Sequence, residues 1–545
     1  MNKEITLQLT SHPAIDAGLA DLNKNSVIPR IWDYDHTVWK PDPTEITNRL
    51  GWLHIIDSMQ RESSRMSALA NDLQQEDFTD ILLLGMGGSS LAPEVFGHTF
   101  ETTGLNISVL DSTDPGAVQA AQNKLDLTKT VFIVATKSGG TTETLSFFNY
   151  FYNQVVKVVG KTKAGEHFVA ITDPGSKLVE LGEHYKFREI FLNNPNIGGR
   201  YSALSFFGLV PAALAGVDVP KLLQRAQAMA EKCGPQIAAG ENPGAVLGTI
   251  LGQLAKAGRD KVTFVSSSNV ADFPNWVEQL IAESTGKEGK GILPVVGEPL
   301  SGPDAYGDDR VFVNLKIGED TTHDAKLKTL EDAGHPVLQI ELDDVYDLGG
   351  QFFIWEFATA VASYFLKINP FDQPNVESAK VLARQMVATY SETGTLPKGE
   401  DVDPSPRALA DFLDSSKPGD YIAFQAYVQP TPEVEAALQA LRLEARERYK
   451  VATTFGFGPR FLHSTGQLHK GDAGKGLFVQ FTSQTSQDVD IPNEAGNPES
   501  SMTFGTLKMS QALGDAQALR DAGRRVISIA LGENPEKSIQ QMRKQ

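Results

Sequence analysis

Residues 131–145, VFIVATKSGGTTETL, carry the pattern that decides the fold. An apolar run is followed abruptly by a lysine, two glycines and several hydroxyl side chains. A short apolar run that ends in Gly-Gly and Thr is typical of a buried strand rather than of a helix. The dense hydroxyls and glycines after the strand need an explanation of their own.

Similar apolar runs recur on both sides of this stretch, with helix-like segments between them. The runs on either side are DILLLG, ISVLD, FVAIT and FREIF. A second series with similar spacing follows: KVTFVSS, GILPVV, VFVNL and VLQIEL. Strands separated by helices at this spacing indicate βαβ units and parallel sheets. The sequence therefore predicts an α/β fold of two three-layer αβα units with mainly parallel, doubly wound sheets.

The predicted domain organisation has five parts. They are an N-terminal segment packed on the first unit (1–75), the first unit (76–225), the second unit (226–387), a polar, proline-bearing insertion (388–450) and a C-terminal part that completes the second unit (451–545). Three tryptophans in the first part, Trp32, Trp39 and Trp52, indicate that this segment is buried rather than disordered.

The net charge of −19 argues against a nucleic-acid or anionic membrane partner, although a local pocket can still bind a small anion. Cys233 is the only cysteine, so no intramolecular disulfide can form, and we expect a packed, inert thiol. The N-terminal residues show no signal-peptide pattern, and no apolar run is long enough to span a bilayer. A cytoplasmic location is expected. We find no metal-ligand spacing and expect no metal.

The segment GMGGSSLAP, which follows the strand at 80–85, has the spacing G-x-G-G. It is therefore neither a Walker loop nor a G-x-G-x-x-G fingerprint. A dinucleotide would need an acidic residue for the ribose, and Asp111 is the only weak candidate. Judged by itself, this loop is equally explained as a tight strand-to-helix turn that binds no ligand.

The loop in the opening stretch is more specific. Helix capping explains one hydroxyl, at Thr141 or Thr142, but not the whole set. A phosphate group needs several converging O–H and N–H donors without bulk, and helix N-termini supply further N–H groups. Two such loops on strands of one parallel sheet would face each other beyond the carboxyl ends of the strands. Together they predict a site for a phosphorylated small molecule.

The chain resembles the glucose-6-phosphate isomerase family, which has the sugar isomerase (SIS) fold. The resemblance rests on GMGGSSLAP, TKSGGTTET, GGRYSALSFFGLVPAALAG, WVEQLIAESTGKEGKGILPV, NPFDQPNVESAK and LHSTGQLHKG. It is strongest to the isomerase half of bacterial transaldolase–isomerase fusions, without the transaldolase half. It implies reversible conversion of glucose 6-phosphate and fructose 6-phosphate in glycolysis and gluconeogenesis, by ring opening and a cis-enediolate. The residues it implies for phosphate binding are Gly88, Ser89, Thr136, Lys137, Ser138 and Thr141.

The same resemblance implies a catalytic set. Glu283 would move the proton between C2 and C1, and Gln279 would line the site. Arg200 would stabilise the enediolate, and His463 and Lys380 would open the sugar ring. The chemistry fits these residue types, because one carboxylate can make both proton transfers, arginine is always charged and histidine titrates near neutral pH. No cofactor is needed.

Each of these residues also has a structural interpretation. Glu283 would then be a solvated helix acid, Arg200 a partner in a structural ion pair and Lys380 a surface lysine. His469 competes with His463, which lies six residues before it.

The order of the motifs departs from the family. In most members the histidine segment lies between the glutamate and the lysine, and it comes from the partner subunit of a dimer. Here the order is Glu283, Lys380, His463. The oligomeric state therefore stays open between homodimer and monomer. Our hypothesis is that His463 belongs to the active site of its own chain.

Two other functions stay open. A non-catalytic phosphosugar-binding protein of the same fold would keep the phosphate loops but could lose Glu283, Arg200 and Lys380. Mannose 6-phosphate also stays open as a second substrate, because sugars that differ at one carbon are distinguished by pocket shape.

Overall fold

The computed structural model describes residues 13–484 and 487–543; the first twelve residues of the segment read for a signal peptide lie outside this part. The described part begins with the helices α1 (Pro13–Lys24), α2 (Val27–Trp32) and α3 (Ile55–Gln75). Trp39 and Trp52 are buried, as expected. The indole N–H of Trp39 donates to the carbonyl of Ala360, so this segment also packs on the second unit.

The first unit contains a five-stranded parallel sheet with strand order β2-β1-β3-β4-β5. Its elements are β1 (Asp80–Gly85), α4 (Leu91–Thr99), β2 (Asn106–Leu110), α5 (Pro115–Lys124), β3 (Thr130–Ala135), α6 (Thr142–Val159), β4 (Phe168–Thr172), α7 (Lys177–His184) and β5 (Glu189–Leu192). Strand β3 is buried along its whole length, as expected from its apolar sequence. Because β1 and β3 are neighbours, the loops that follow them share one edge of the sheet.

The second unit contains a four-stranded parallel sheet with strand order β7-β6-β8-β9. It follows α8 (Phe206–Leu214), which packs on α3 and α4 beside the first sheet. The elements of the second unit are α9 (Val219–Lys232), α10 (Pro243–Lys256), β6 (Lys261–Ser266), α11 (Phe273–Thr285), β7 (Leu293–Val295), β8 (Arg310–Ile317), α12 (Asp324–Asp332), β9 (Val337–Leu342) and α13 (Leu348–Leu366). Helix α13 is apolar all round and almost completely buried, as a helix in the centre of a core must be. The predicted α/β class with mainly parallel sheets is confirmed.

The rest of the chain forms a third parallel sheet with strand order β10-β16-β13-β11-β12. This part of the chain, the third unit, consists of α14 (Val376–Thr393), β10 (Asp401–Val402), α15 (Pro406–Leu413), β11 (Tyr421–Tyr427), α16 (Pro432–Tyr449), β12 (Ala452–Phe457), α17 (Gly466–Gly471), β13 (Gly476–Thr482), β14 (Asp490–Pro492), β15 (Ser500–Thr503), α18 (Phe504–Asp521), β16 (Arg525–Ala530) and α19 (Pro535–Met542). Strands β14 and β15 form a separate antiparallel pair.

This third sheet differs from the expected organisation. Residues 388–450 were expected as an insertion, and 451–545 as the completion of the second unit. Instead β11, from the first of these segments, pairs with β12 and β13 from the second, in a sheet of their own. Strand β11 is fully buried and includes a glutamine, Gln425. It was not predicted because the residues on both sides of it are polar and include prolines. The other predicted boundaries stay predictions.

Among the described helices, none combines the length and apolar character that crossing a bilayer requires.

Candidate active site

Four short segments meet beside the carboxyl edge of the first sheet. They are the turn Gly87–Ser89 after β1, the turn Gly199–Tyr201, the end of α11 and the turn Arg460–His463. A Cβ atom on Gly88 would lie 2.1 Å from the carbonyl oxygen of Gly199, and one on Gly87 would lie 2.6 Å from that of His463. Only glycine allows backbones to approach this closely. The glycines after β1 therefore bring the other segments together.

The loop after β3 forms a hydroxyl-lined cradle at the N-terminus of α6. Thr136 is buried, and its Oγ1 lies 2.7 Å from Oγ1 of Thr141, the N-cap residue of that helix. The Ser138 hydroxyl accepts a hydrogen bond of 3.3 Å from the N–H of Gly140. Hydroxyls around the N-terminus of a long helix favour an anion.

Lys137 makes contacts that lead away from this cradle. Its ammonium forms an ion pair with Asp173 and donates to the carbonyl oxygen of Pro195 at 2.9 Å. Its charge is therefore already balanced, and the cradle depends on hydroxyls and backbone N–H groups.

Glu283 lies in the last turn of α11 and is buried. One carboxylate oxygen is 3.5 Å from Nη1 of Arg200, and the other accepts a hydrogen bond of 3.0 Å from Gln279, one turn earlier. The same Gln279 amide donates to the carbonyl of His463 at 2.7 Å, so it joins the carboxylate to the histidine turn.

Arg200 is 3% exposed and is held on several sides. Its Nε donates to Oγ of Ser284 at 2.8 Å, and Nη2 donates to the carbonyl oxygen of Asp372 at 3.0 Å. Lys287 is nearby, also buried, and its ammonium lies 2.7 Å from the Asp372 carboxylate. Burial and the charge of Arg200 lower the pKa of Lys287 to about 8. The guanidinium of Arg200 is thus a fixed positive charge beside Glu283.

His463 faces a second buried carboxylate. Its Nε2 lies 3.0 Å from Oε1 of Glu143, in the first turn of α6. Burial acts to raise the pKa of Glu143, but the charge and hydrogen bond of His463 outweigh it and the pKa is lowered. Gln511 of α18 donates to the same carboxylate oxygen at 2.7 Å and accepts a hydrogen bond of 2.8 Å from the Thr113 hydroxyl.

The histidine turn is anchored on the first unit by Arg460. Its guanidinium forms an ion pair with both oxygens of Glu94 and lies 3.2 Å from Asp111. Asp111, the weak ribose candidate, is therefore occupied by a protein cation. His469 is buried beside Gln425, 3.2 Å away, and burial lowers its pKa well below the usual range.

The sequence is similar to those of known proteins over much of its length. Residues 55–297 match the family model described as phosphoglucose isomerase. Glucose-6-phosphate isomerase of Prochlorococcus marinus is 27% identical over 419 residues, which cover 69% of this chain and 78% of that protein. The enzyme of the same name from Rubrobacter xylanophilus is 27% identical over 441 residues, covering 72% and 98%. Over these ranges the chain is similar to phosphoglucose isomerases.

Solved structures show the same fold. A glucose-6-phosphate isomerase from Chlamydia trachomatis aligns over 71% of this chain and 88% of its own, with 19% identity and a TM-score of 0.58. A hypothetical protein from Thermus thermophilus aligns over 69% and 98%, with 24% identity and a TM-score of 0.58. The range matched by the phosphoglucose isomerase model includes Glu283 but ends before Lys380 and His463.

Among the residues predicted for catalysis, Lys380 lies at the margin of the site formed by Glu283, Arg200 and His463. It is in α14, its side chain is 44% exposed, and its ammonium is 4.0 Å from Glu377. Its charge also contributes to lowering the pKa of Glu143, so it acts on the site electrostatically in this conformation.

Sequence reasoning missed two members of the cluster. Glu143 is part of the motif TKSGGTTET, and an acid among hydroxyls at a helix start was a signal that could have been used. Gln511 has no local signal, because it lies in an ordinary polar helix of the third unit. No group of three or more His, Cys, Asp or Glu side chains in residues 13–484 and 487–543 is arranged to hold a metal ion.

Proposed function

We propose that the protein catalyses the reversible isomerisation of glucose 6-phosphate and fructose 6-phosphate. The observation that carries this proposal is the buried pair of Glu283 and Arg200, at 3.5 Å, joined through Gln279 and His463 to the first turn of α6. A carboxylate can act as the base of an aldose–ketose isomerase, and a fixed cation can stabilise the oxyanion that results. The relatives named glucose-6-phosphate isomerase support the same reaction.

In this proposal the sugar phosphate is held by two loops of the first sheet. Backbone N–H groups and hydroxyls at the N-terminus of α6 supply donors to the phosphate oxygens. The residues assigned to this role are Gly88, Ser89, Thr136, Ser138 and Thr141.

Ring opening and proton transfer are assigned to separate groups. His463, paired with Glu143, donates a proton to the ring oxygen as the ring C–O bond breaks, and the anomeric hydroxyl gives its proton to solvent, with Lys380 assisting through its charge. Glu283 then removes the proton from C2 and returns it to C1, while Arg200 stabilises the enediolate oxygen. Gln279 holds the Glu283 carboxylate in position.

A direct assay tests the reaction. Purified protein is given fructose 6-phosphate, and glucose 6-phosphate is detected with a coupled dehydrogenase. Turnover is expected, and a parallel assay with mannose 6-phosphate decides whether that sugar is also a substrate. Binding of fructose 6-phosphate without turnover would instead identify a phosphosugar-binding protein.

Thr141→Val is expected to raise KM for fructose 6-phosphate about tenfold, because it removes a hydroxyl donor from a charged phosphate. The change in kcat should be smaller, since the phosphate does not react. Steady-state kinetics measure both constants. Thr142→Val, the same change one residue further on, is the control and should leave KM unchanged, because Thr142 is exposed. Equal effects of the two changes would remove Thr141 from the phosphate site.

We also propose that one chain is sufficient for activity. Glu283, Arg200, Glu143 and His463 meet within a single chain. We expect the specific activity to stay constant on dilution through the range where gel filtration detects any dimer. A fall in activity that parallels dissociation would show that a partner subunit completes the site.

Gln511→Leu is expected to lower kcat about tenfold, because a hydrogen bond to a buried charged group is lost. The pH dependence of kcat should shift as well, since Glu143 and His463 form a coupled pair. Kinetics over a pH series measure both effects. Gln517→Leu is the control, because Gln517 lies on the same helix and bonds only to exposed Asp521. A lower kcat with an unshifted pH profile would indicate a purely structural role.

The cellular setting follows from the reaction. We propose a role in glycolysis and gluconeogenesis in the cytoplasm, which the acidic net charge of −19 fits. Origin from a transaldolase–isomerase fusion also stays a proposal that rests on the sequence motifs.

A further inference from the structure

A second cavity lies between the second and third units, at the amino ends of β6 and β11. Its volume is about 470 Å³, within the range typical of small-molecule sites. One wall is formed by the ends of α10 and α13 and by the turn 289–291, and the other by the residues around Asp472. None of the residues assigned to the isomerase reaction lines this cavity.

The cavity is rich in positive charge. Five lysines line it against two aspartates, Asp260 and Asp472. The lysines are Lys256, Lys261, Lys290, Lys367 and Lys475. In a protein with a net charge of −19, this concentration of cations in a cleft is unexpected.

Only part of this charge is balanced by the protein. Lys261 is buried between Asp260 and Asp309, and Lys475 is 3.5 Å from Asp260. Lys290 donates to the carbonyl of Leu366 at 2.7 Å, which compensates the negative end of α13. Asp472 in turn has Arg524 at 3.2 Å.

Two lysines have no carboxylate within ion-pair distance in the described part of the chain. They are Lys256, at the end of α10, and Lys367, directly after α13, and both are exposed. Part of their charge offsets the helix C-termini. Even so, ammonium groups that converge on a cleft with apolar walls attract an anion more strongly than they would in open solvent.

We propose that this cleft binds a small multivalent anion of the phosphorylated-metabolite class, at a site separate from the phosphate loops of the first sheet. Lys256 and Lys367 contact it from the second unit and Lys475 from the third. The volume exceeds that of a single phosphate group, so the ligand carries further atoms along the apolar wall.

Because the cleft lies between the second and third units, a bound ligand would affect the junction between them. The N–H of Gly289 donates to the carbonyl of Gly471 at 3.0 Å, and Gln467 donates to the carbonyl of Gly286 at 2.9 Å. These bonds join the turn that follows Glu283 to the helix that follows His463. A ligand that bridges the two units stabilises this junction and raises the thermal unfolding midpoint as its free concentration increases above its Kd.

The test is calorimetric titration of the full chain with inorganic pyrophosphate and, separately, with citrate. The proposal does not depend on isomerase activity, since binding is measured directly. The test variant is K256Q/K367Q/K475Q, and the control variant K24Q/K129Q/K177Q removes three exposed lysines elsewhere. S138A/T141V removes binding at the phosphate loops. A single change, Lys367→Gln, serves as a second variant that alters one exposed side chain.

We expect pyrophosphate binding that persists in S138A/T141V and in the control, and that weakens at least tenfold in the test variant. Lys367→Gln should weaken it less, in the same direction. Binding that is unchanged in the test variant, or that disappears in S138A/T141V, would overturn the proposal. Tighter binding of citrate than of pyrophosphate would overturn the assignment to phosphorylated ligands.

Discussion

Glu283→Gln is expected to lower kcat for fructose 6-phosphate by at least about a hundredfold, the effect of removing a general base. An amide has the shape of the carboxylate but does not accept a proton at neutral pH. Substrate binding should persist, because the phosphate loops lie on another unit of the chain. The coupled assay measures kcat, and incorporation of solvent deuterium at C1 of fructose 6-phosphate, followed by NMR, measures the proton transfer itself.

The matched control is Glu288→Gln, five residues along the chain, where the carboxylate is exposed and pairs with Lys40. Its kcat should equal that of the unmodified protein. Loss of Glu283 also leaves Arg200 without its carboxylate partner, so the thermal midpoint of the variant must be compared before the kinetics are interpreted. Undiminished proton exchange in Glu283→Gln would place the base elsewhere.

Glu298→Ala is expected to lower the free energy of unfolding by about 3–5 kcal/mol, the cost of leaving a buried charge without its partner. Glu298 and Arg310 are both fully buried, with 3.2 Å between Oε1 and Nη1. Arg446 of the third unit lies 3.7 Å from the same carboxylate and donates to the carbonyl of Pro299 at 2.7 Å. The loss would thus act where the second and third units join, and urea unfolding measures it.

Glu447→Ala is the control for this change. Glu447 also pairs with Arg446, at 2.7 Å, but is half-exposed, so its loss should cost less than about 1 kcal/mol. Replacing both Glu298 and Arg310 by methionine should restore much of the stability, because the Arg310 charge is removed with its partner and Arg446 keeps Glu447 at 2.7 Å. Similar losses from Glu298→Ala and Glu447→Ala would mean that burial does not determine the strength of these pairs.

The parts of the fold and site that sequence predicts are those with local signals. Strand β3 and its loop were predicted because an apolar run, two glycines and clustered hydroxyls stand next to one another. The convergence of this loop with the turn after β1 follows from the geometry of parallel sheets. Glu283 and Arg200 were predicted by family motifs, and their distance of 3.5 Å agrees with a shared site.

The parts that were not predicted depend on contacts between distant segments. Strand β11 is buried because β12, β13 and α16 cover it, and nothing in its polar flanks indicates that cover. The ion pair of Lys137 with Asp173 depends on the neighbouring strand β4, so the sequence of the loop alone does not indicate it. The burial of a strand and the partner of a long side chain both depend on tertiary packing.

The contact between Glu143 and Gln511 joins residues 368 positions apart. A ribosome releases the N-terminal part of a chain first, and domains generally fold as they emerge. The first sheet and its phosphate loops would therefore be complete long before His463 and Gln511 are synthesised. Under the proposed function, catalytic competence is then a late event in translation, and a chain that terminates early would bind sugar phosphate without converting it.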